Sequence, residues 1–398
     1  MAVVDGIVGT SFDLTVKEDF IVTADGNTLT IWGFAEGIGN ARAQYPGPTL
    51  IVNQGDTVTI TLKNKLPASR RPPVSIVFPG QTSVTASGGS AGLLTQESTG
   101  PGDTVTYTFT ATHPGTYLYH SGSEPDLQME MGLFGALIVR PADPGQAYAH
   151  PDTAFDHEYL FVLSEMDPRI HDLVGEGRMS EIDSTDYFPV YWFINGRTGP
   201  DTLSIAGDPL LPTQPYNIVP RMHPGERLLM RVIGASKHMH PYHTHGNNFA
   251  MIARDGRPLQ SAPGAGADLA VSDFTLKTVP GQTYDAIFQW TGEGLGWDIY
   301  GHAPGDPMAP SEYAPDHGNP LPVILPETLD LTFGAFYSGS PFLGHLGSLP
   351  PGEGGLNPSA GFTYMWHSHT EKELTNFDIF PGGMMSMLII EPPGVPIP

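Results

Sequence analysis

His238, His240, His243 and His245 fall within the nine positions of HMHPYHTHG, and His367 and His369 repeat the His-x-His spacing in WHSH. Imidazole is the commonest side-chain ligand for zinc, copper and iron, and several imidazoles converging on one point hold a metal without any thiolate. In a β-strand, residues i and i+2 point to the same face, so His243 projects with His245 and His367 with His369. Two such pairs on neighbouring strands offer four imidazoles to one pocket. Without a metal, that arrangement would bring repulsive or unsatisfied groups together. Metal binding is therefore the chemistry these residues predict.

Other titratable groups carry weaker signals. His150, His157, His171, His223, His302, His317 and His345 stand singly and read as satisfied surface or core residues. Glu124, Asp126, Glu130, Glu371 and Glu373 could complete a coordination sphere or act as acid/base groups, but a solvated loop charge is the stronger reading of each. Met129, Met131, Met384, Met385 and Met387 offer thioether sulfur, a Cu(I) ligand, although strand alternation assigns several of them to a core. The chain has no cysteine, which excludes thiolate metal sites, cysteine nucleophiles and disulfides and leaves the compartment undecided. Phosphate-cradling and His-Glu-x-x-His motifs are absent as well.

The elements that must position these residues are strands. Among 398 residues, 48 glycines and 40 prolines suit many short strands joined by turns, and predict an all-β protein. FDLTVKEDFIVTADGNTLTIWGF reads as two strands around an Asp-Gly turn. TLIVNQGDTVTITLKN alternates apolar and polar residues with period two across Gln-Gly-Asp, the pattern of half-buried antiparallel strands. PGERLLMRVIGA in the second half echoes QGDTVTITLKN in the first, which suggests two copies of one sandwich. The predicted division is 1–145 and 146–398, with a Gly/Pro-rich insertion at about 300–360 in the second. A formal charge of -24 repels phosphate backbones and anionic headgroups, so neither nucleic acid nor membrane is an expected partner. No apolar run is long enough to span a bilayer, and the first residues lack the pattern of a signal peptide.

HPYHTHG resembles the His-Pro-x-His-x-His-Gly motif of the multicopper oxidases. YPGPTLIVNQGDTVTITLKNKLP resembles the beginning of that family's first domain, GTYLYHSG with QMEMGLFGALIV its second motif, FINGRTGPDTL the opening of a cupredoxin domain, and WHSHTEKEL with GGMMSMLIIEP its last motif. The resemblance implies tandem cupredoxin-like Greek-key sandwiches, a copper cofactor, and metal ligands at His120, His243, His245, His367 and His369. It also shows departures. Where the first copper motif should lie, SIVFPGQ offers no imidazole; Gly122 replaces the partner of His120; Ser368 stands in place of the blue-copper cysteine, and Glu373 in place of that site's second histidine. His240, which matches the remaining blue-copper histidine, could keep a weak remnant site with Glu373 and Met384 or Met385, or serve as a hydrogen-bonding residue beside the metal.

By resemblance to two-domain members and to copper nitrite reductases, the chain is expected to be an exported, secreted or periplasmic homotrimer in which His120 faces the other ligands across a subunit boundary. The implied activity is an oxidoreductase whose substrate, a small molecule or metal ion with dioxygen among the candidates, meets the metal directly. Two alternatives remain open at this point. One is a non-catalytic copper-binding, storage or structural protein; the other is zinc or iron on the same fold, held by three histidines with an open position.

Overall fold

The computed structural model describes residues 3–321, 340–342 and 361–397; the parts of the anticipated insertion at 322–339 and 343–360, with His345, lie outside them. Alternation does what its period requires. In Thr57–Asn64 and Thr104–Thr110 every second side chain is buried, so Val58, Ile60, Leu62, Val105, Tyr107 and Phe109 face one core. Ser11–Val22 and Thr28–Glu36 form the expected antiparallel hairpin, with Gly26 at φ +85° in its turn.

The segment TLIVNQGDTVTITLKN departs from expectation. It is not a hairpin: Gly47–Asn53 and Thr57–Asn64 lie in different sheets, and the turn carries the chain from one layer of the sandwich to the other. Gly55 adopts φ +91° there, and the Asp56 carboxylate accepts the Asn53 N–H at 2.8 Å. The echo in the second half has the same construction, with Gly225 at φ +83° and the Glu226 carboxylate accepting the His223 N–H at 2.6 Å.

Among the described residues, strands between 7 and 140 form a 4-stranded, a 5-stranded and a small 2-stranded sheet, and those between 157 and 390 a 7-stranded and a 6-stranded sheet. The pairing pattern repeats. Ser11–Val22 runs parallel to Thr57–Asn64, which runs antiparallel to Thr104–Thr110; His157–Met166 runs parallel to Arg227–Gly234, which runs antiparallel to Thr283–Gln289. Likewise Gly115–His120 pairs antiparallel with Phe134–Arg140 as Gly361–Ser368 does with Met385–Ile390. His120 and His367 thus sit at corresponding ends of corresponding strands. One core centres on Trp32, Phe34, Tyr107 and Leu137, the other on Phe161, Tyr242, Phe288 and Trp366. A third apolar cluster joins the halves through Leu118, Phe134, Val162, Phe193 and Ile233. No helix among the described residues is long and apolar enough to cross a membrane.

Candidate metal centre

Cross-strand register brings the histidines together. His240–His243 pairs antiparallel with Gly361–Ser368, placing His243 directly opposite His367 and Tyr242 opposite Ser368. Directly opposed side chains on adjacent strands are within contact distance of one another. His245 and His369 lie just past their strand ends, so the i, i+2 argument holds only up to the rim, and turn geometry places the rest. Gly246 adopts φ +103°; a side chain there would press on the Tyr364 ring at 3.0 Å, while Trp366 Nε1 donates to the His245 carbonyl at 3.0 Å. Together these hold His245 over His367.

Ligand atoms of His243, His245 and His367 all lie within 4.8 Å of one another. His245 Nε2 and His367 Nε2 are 3.1 Å apart, about the separation of two nitrogens bound to one metal at ~2.0–2.1 Å and roughly 100° to each other. The opposite ring atoms are spoken for. His367 Nδ1 donates to the Ser368 carbonyl at 2.6 Å, leaving its Nε2 to carry the lone pair, and His243 Nδ1 hydrogen-bonds Thr275 Oγ1 at 2.7 Å. Bonds of this kind fix tautomer and ring orientation at metal sites. Burial, reinforced by the neighbouring His245, His367 and His369, pulls the His243 pKa down to about 4, and burial lowers that of His367 against its bond to Ser368. Both rings are therefore neutral at neutral pH, the state that ligates. A three-nitrogen donor set of neutral imidazoles fits copper or zinc.

The remaining predicted ligands are placed differently. The His369 ring lies 4.8 Å from that of His243, but its side chain is 52% exposed and it stands at the rim of the triplet rather than in it. His120 does not join the group within one chain. It copies the posture of His367, donating Nδ1 to the Ser121 carbonyl at 2.8 Å, which leaves Nε2 with the lone pair. Where the family motif would put partners for it, there is no room: a side chain at Gly122 would meet Val77 at 2.7 Å, and Phe78 packs among Tyr107, Phe109 and Tyr119.

His240 is placed least like a ligand. It is fully buried, with Nε2 2.8 Å from Glu165 Oε2 and Nδ1 2.9 Å from Glu373 Oε2. Both ring nitrogens donate to carboxylates, so the ring is an imidazolium. Burial opposes that charge, but the hydrogen bonds and charges of Glu165 and Glu373 outweigh it and raise the His240 pKa to about 9. Glu165 also accepts the backbone N–H groups of Lys237 and His238, each at 2.9 Å, and the Ser236 hydroxyl. Ser368 Oγ donates to Glu373 at 2.6 Å. The positions that match the blue-copper ligands are thus filled by an ion triad sealed with hydroxyl and amide donors, and Met384 belongs to the apolar core. Two readings from sequence change here. Glu373 and Glu130 are buried, not solvated loop charges; Glu130 accepts the Asp167 N–H at 2.8 Å and the Tyr187 hydroxyl at 2.8 Å. Glu165 was missed altogether, and no local signal in HEYLFVLSEMD marks it.

An optical prediction follows from the triad. Copper-loaded protein shows no intense visible charge-transfer band, because no sulfur anion is available to donate charge. Ser368→Cys alone does not create one, since its thiol would face the Glu373 carboxylate; the band appears only when Glu373→His is added. An intense band in the copper-loaded wild type would refute this account of the triad.

Known proteins resemble this chain in part of its sequence and in its fold. Residues 26–144 match the family model described as multicopper oxidase. Copper resistance protein A of Escherichia coli is 32% identical over 165 residues, 42% of this chain and 24% of that protein. L-ascorbate oxidase of Cucurbita maxima is 38% identical over 126 residues, 31% of this chain and 20% of that protein. The chain thus spans about a quarter or less of the length of these curated relatives. Among solved structures, the blue copper oxidase from Nitrosomonas europaea superposes with a TM-score of 0.60 at 22% identity, over 95% of this chain and 85% of that one. The multicopper oxidase mgLAC gives 0.59 at 20% identity, over 98% and 87%. These two likenesses establish the all-β cupredoxin-like fold.

Proposed function

We infer, for a chain whose residues 26–144 make up a multicopper-oxidase domain, that the protein is an exported copper-binding oxidoreductase working from a histidine-only site. The observation that carries this reading is the convergence of His243, His245 and His367 within 4.8 Å, beside a His240 position occupied by an ion triad. Copper held there would supply one-electron chemistry, passing electrons between a reducing substrate and an acceptor such as dioxygen. The chain's own part is orientation and access. Thr275 and the Ser368 carbonyl hold two of the rings so that their Nε2 atoms converge. Phe274, 51% exposed, stands edge-on to His243 at 5.5 Å and gives an arriving substrate an apolar wall. His369, with Glu371 3.8 Å away, stands at the same rim in contact with solvent. With no blue-copper relay, the electron donor must reach this rim itself, and small phenols or reducing metal ions are the substrate classes that fit.

The half-buried His120, with Nδ1 bonded to the Ser121 carbonyl, belongs to no group of converging ligand atoms among the described residues. We assign it to the triplet of a neighbouring copy in a homotrimer, completing a four-imidazole site between the first domain of one subunit and the second domain of the next. Subunit mixing tests this. His120→Ala protein binds copper more weakly, and His243→Ala/His245→Ala protein loses stoichiometric binding; mixed trimers regain tight sites where an intact His120 faces an intact triplet. If chains exchange and no tight site returns, or if the protein is a monomer by light scattering, the shared site is wrong. For the oxidoreductase reading, the copper-loaded protein should show a Cu(II) paramagnetic signal with nitrogen hyperfine structure and consume dioxygen with a phenol. The filling of the other ligand positions by Phe78, Val77 and the ion triad favours a second reading, a non-catalytic copper holder. Copper bound without any dioxygen consumption would select it.

A further inference from the structure

His302 and His317, which read as isolated in sequence, meet Asp298 and Glu312 in space. Ligand atoms of these four residues all lie within 4.8 Å of one another. We propose that Asp298, His302, Glu312 and His317 form a second metal site, separate from the His243 triplet, that takes a borderline divalent cation of the zinc type and closes the loop between residues 298 and 318.

The geometry is that of a closed four-donor site. His302 Nδ1 lies 3.1 Å from Glu312 Oε2 and 3.5 Å from Asp298 Oδ2; His317 Nδ1 lies 2.7 Å from Glu312 Oε1 and 3.9 Å from Asp298 Oδ2. Four donors bound tetrahedrally to zinc at ~2.0–2.1 Å stand about 3.3 Å apart, a value these distances bracket. Both histidines turn the same atom, Nδ1, toward the same two carboxylates. His317 Nε2 donates to the Asp306 carbonyl at 2.9 Å, the bond by which a ligating histidine is normally oriented.

The carboxylates are held as firmly. Their side chains are 0% and 2% exposed. Asp298 accepts the Tyr300 N–H at 2.8 Å and the Gly318 N–H at 2.7 Å, and Glu312 accepts the Ala309 N–H at 2.8 Å. Gly318 adopts φ +69°, and a side chain there would meet Pro304 at 3.1 Å, so this close approach of the amide depends on glycine. Buried carboxylates are retained when they are paired or coordinate a metal.

A clip at this place has a structural purpose. Trp297, Ile299 and Leu321 anchor the two ends of the loop in the second core, and Asp298 N–H donates to the Asn319 carbonyl at 2.9 Å. Between them the only regular element is the short turn Ala314–Asp316. The loop's interior is the polar cluster, with Tyr300 stacked on His302 at 6.0 Å. A cation bonded to residues on both arms would close it, and metal-coupled closure of this kind stabilises the folded state directly. All four positions come from the protein and none is left for substrate, which marks the site as structural.

The test is titration of metal-stripped full-length protein with zinc and, separately, with cobalt(II). Wild type is compared with His302→Gln/His317→Gln, with His243→Ala/His245→Ala, and with the four substitutions combined. Removing the two histidines of the loop should lower zinc binding by one equivalent per chain in both backgrounds, and abolish the visible cobalt bands of a four-coordinate ion that survive in His243→Ala/His245→Ala. Zinc should also protect residues 298–318 from proteolysis in wild type and in His243→Ala/His245→Ala. Unchanged zinc stoichiometry and an unchanged cobalt spectrum in folded His302→Gln/His317→Gln protein would overturn the site. If that variant fails a circular dichroism check, Glu312→Gln, which removes a ligand charge while keeping side-chain size, makes the same comparison.

Discussion

Replacing both His243 and His245 with alanine abolishes stoichiometric copper binding while leaving the fold intact. The expectation rests on two separations. The candidate ligands stand at strand ends, where His243 and His245 are only partly buried, whereas the second core is made by Phe161, Val232, Tyr242, Phe288 and Trp366. Losing the orientation of one ligand typically costs 10–100-fold in metal affinity, by the general behaviour of metal sites, and losing two ligands of three exceeds that. Copper affinity should therefore fall by more than about 100-fold. Far-UV circular dichroism and the metal-free thermal midpoint should stay close to wild type. Metal analysis after gel filtration decides the matter: full copper content in the double variant would place the metal elsewhere. In the metal-free protein the substitution should even relieve a constraint, since three imidazoles no longer crowd together.

The second large effect is on stability. His240→Ala leaves Glu165 and Glu373 buried with no cation between them. Breaking a buried ion pair by removing one partner costs about 3–5 kcal/mol, because an uncompensated charge remains inside. A lower denaturant midpoint for the metal-free variant should report this, with copper binding at the triplet retained in the fraction that folds. The triad also predicts how wild-type stability depends on pH. The His240 pKa is raised to about 9 in the folded protein, against about 6.5 for an unfolded histidine. Its contribution is fully present below about 6.5 and is lost as pH rises through about 9, on the order of 3 kcal/mol over that window. Glu165 behaves in the opposite sense. Burial would raise its pKa, but His240, Ser236 and the His238 amide hold it below the ordinary value, so its contribution is present at neutral pH and lost on acidification. His240→Gln should flatten the alkaline limb of the stability curve and also weaken the acid limb, because His240 is the first of the groups that hold the Glu165 pKa down. An unchanged alkaline limb, or a His240→Ala variant as stable as wild type, would show that the triad does not act as a charged unit.

The pattern of alternating side chains is a local property, and it was legible from residues such as Val58, Ile60 and Leu62, or Val105 and Tyr107. So was the repetition of QGDTVT in PGERLL, which reappears as two turns with the same positive-φ glycine and the same carboxylate-to-amide bond. The absence of cysteine ruled out a blue-copper thiolate without any structure, since no fold can supply a sulfur anion the chain lacks. His-x-His spacing likewise picked out His243, His245, His367 and His369 as candidates, although His245 and His369 lie past their strand ends. What the linear order did not contain is register. Only the pairing of His243 with His367, set by how Gly361–Ser368 lies beside His240–His243, makes one site out of two motifs more than a hundred positions apart. The same limit hid Glu165, an unremarkable acid in an apolar strand until packing put it 2.8 Å from His240, and it made Glu373 and Glu130 look solvated. It also left His302 and His317 looking solitary, because a loop with no period gives no hint of which side chains its closure will bring together. Secondary structure follows from interactions between near neighbours in the chain, whereas coordination and charge pairing depend on distances in space that only the packed sheets determine.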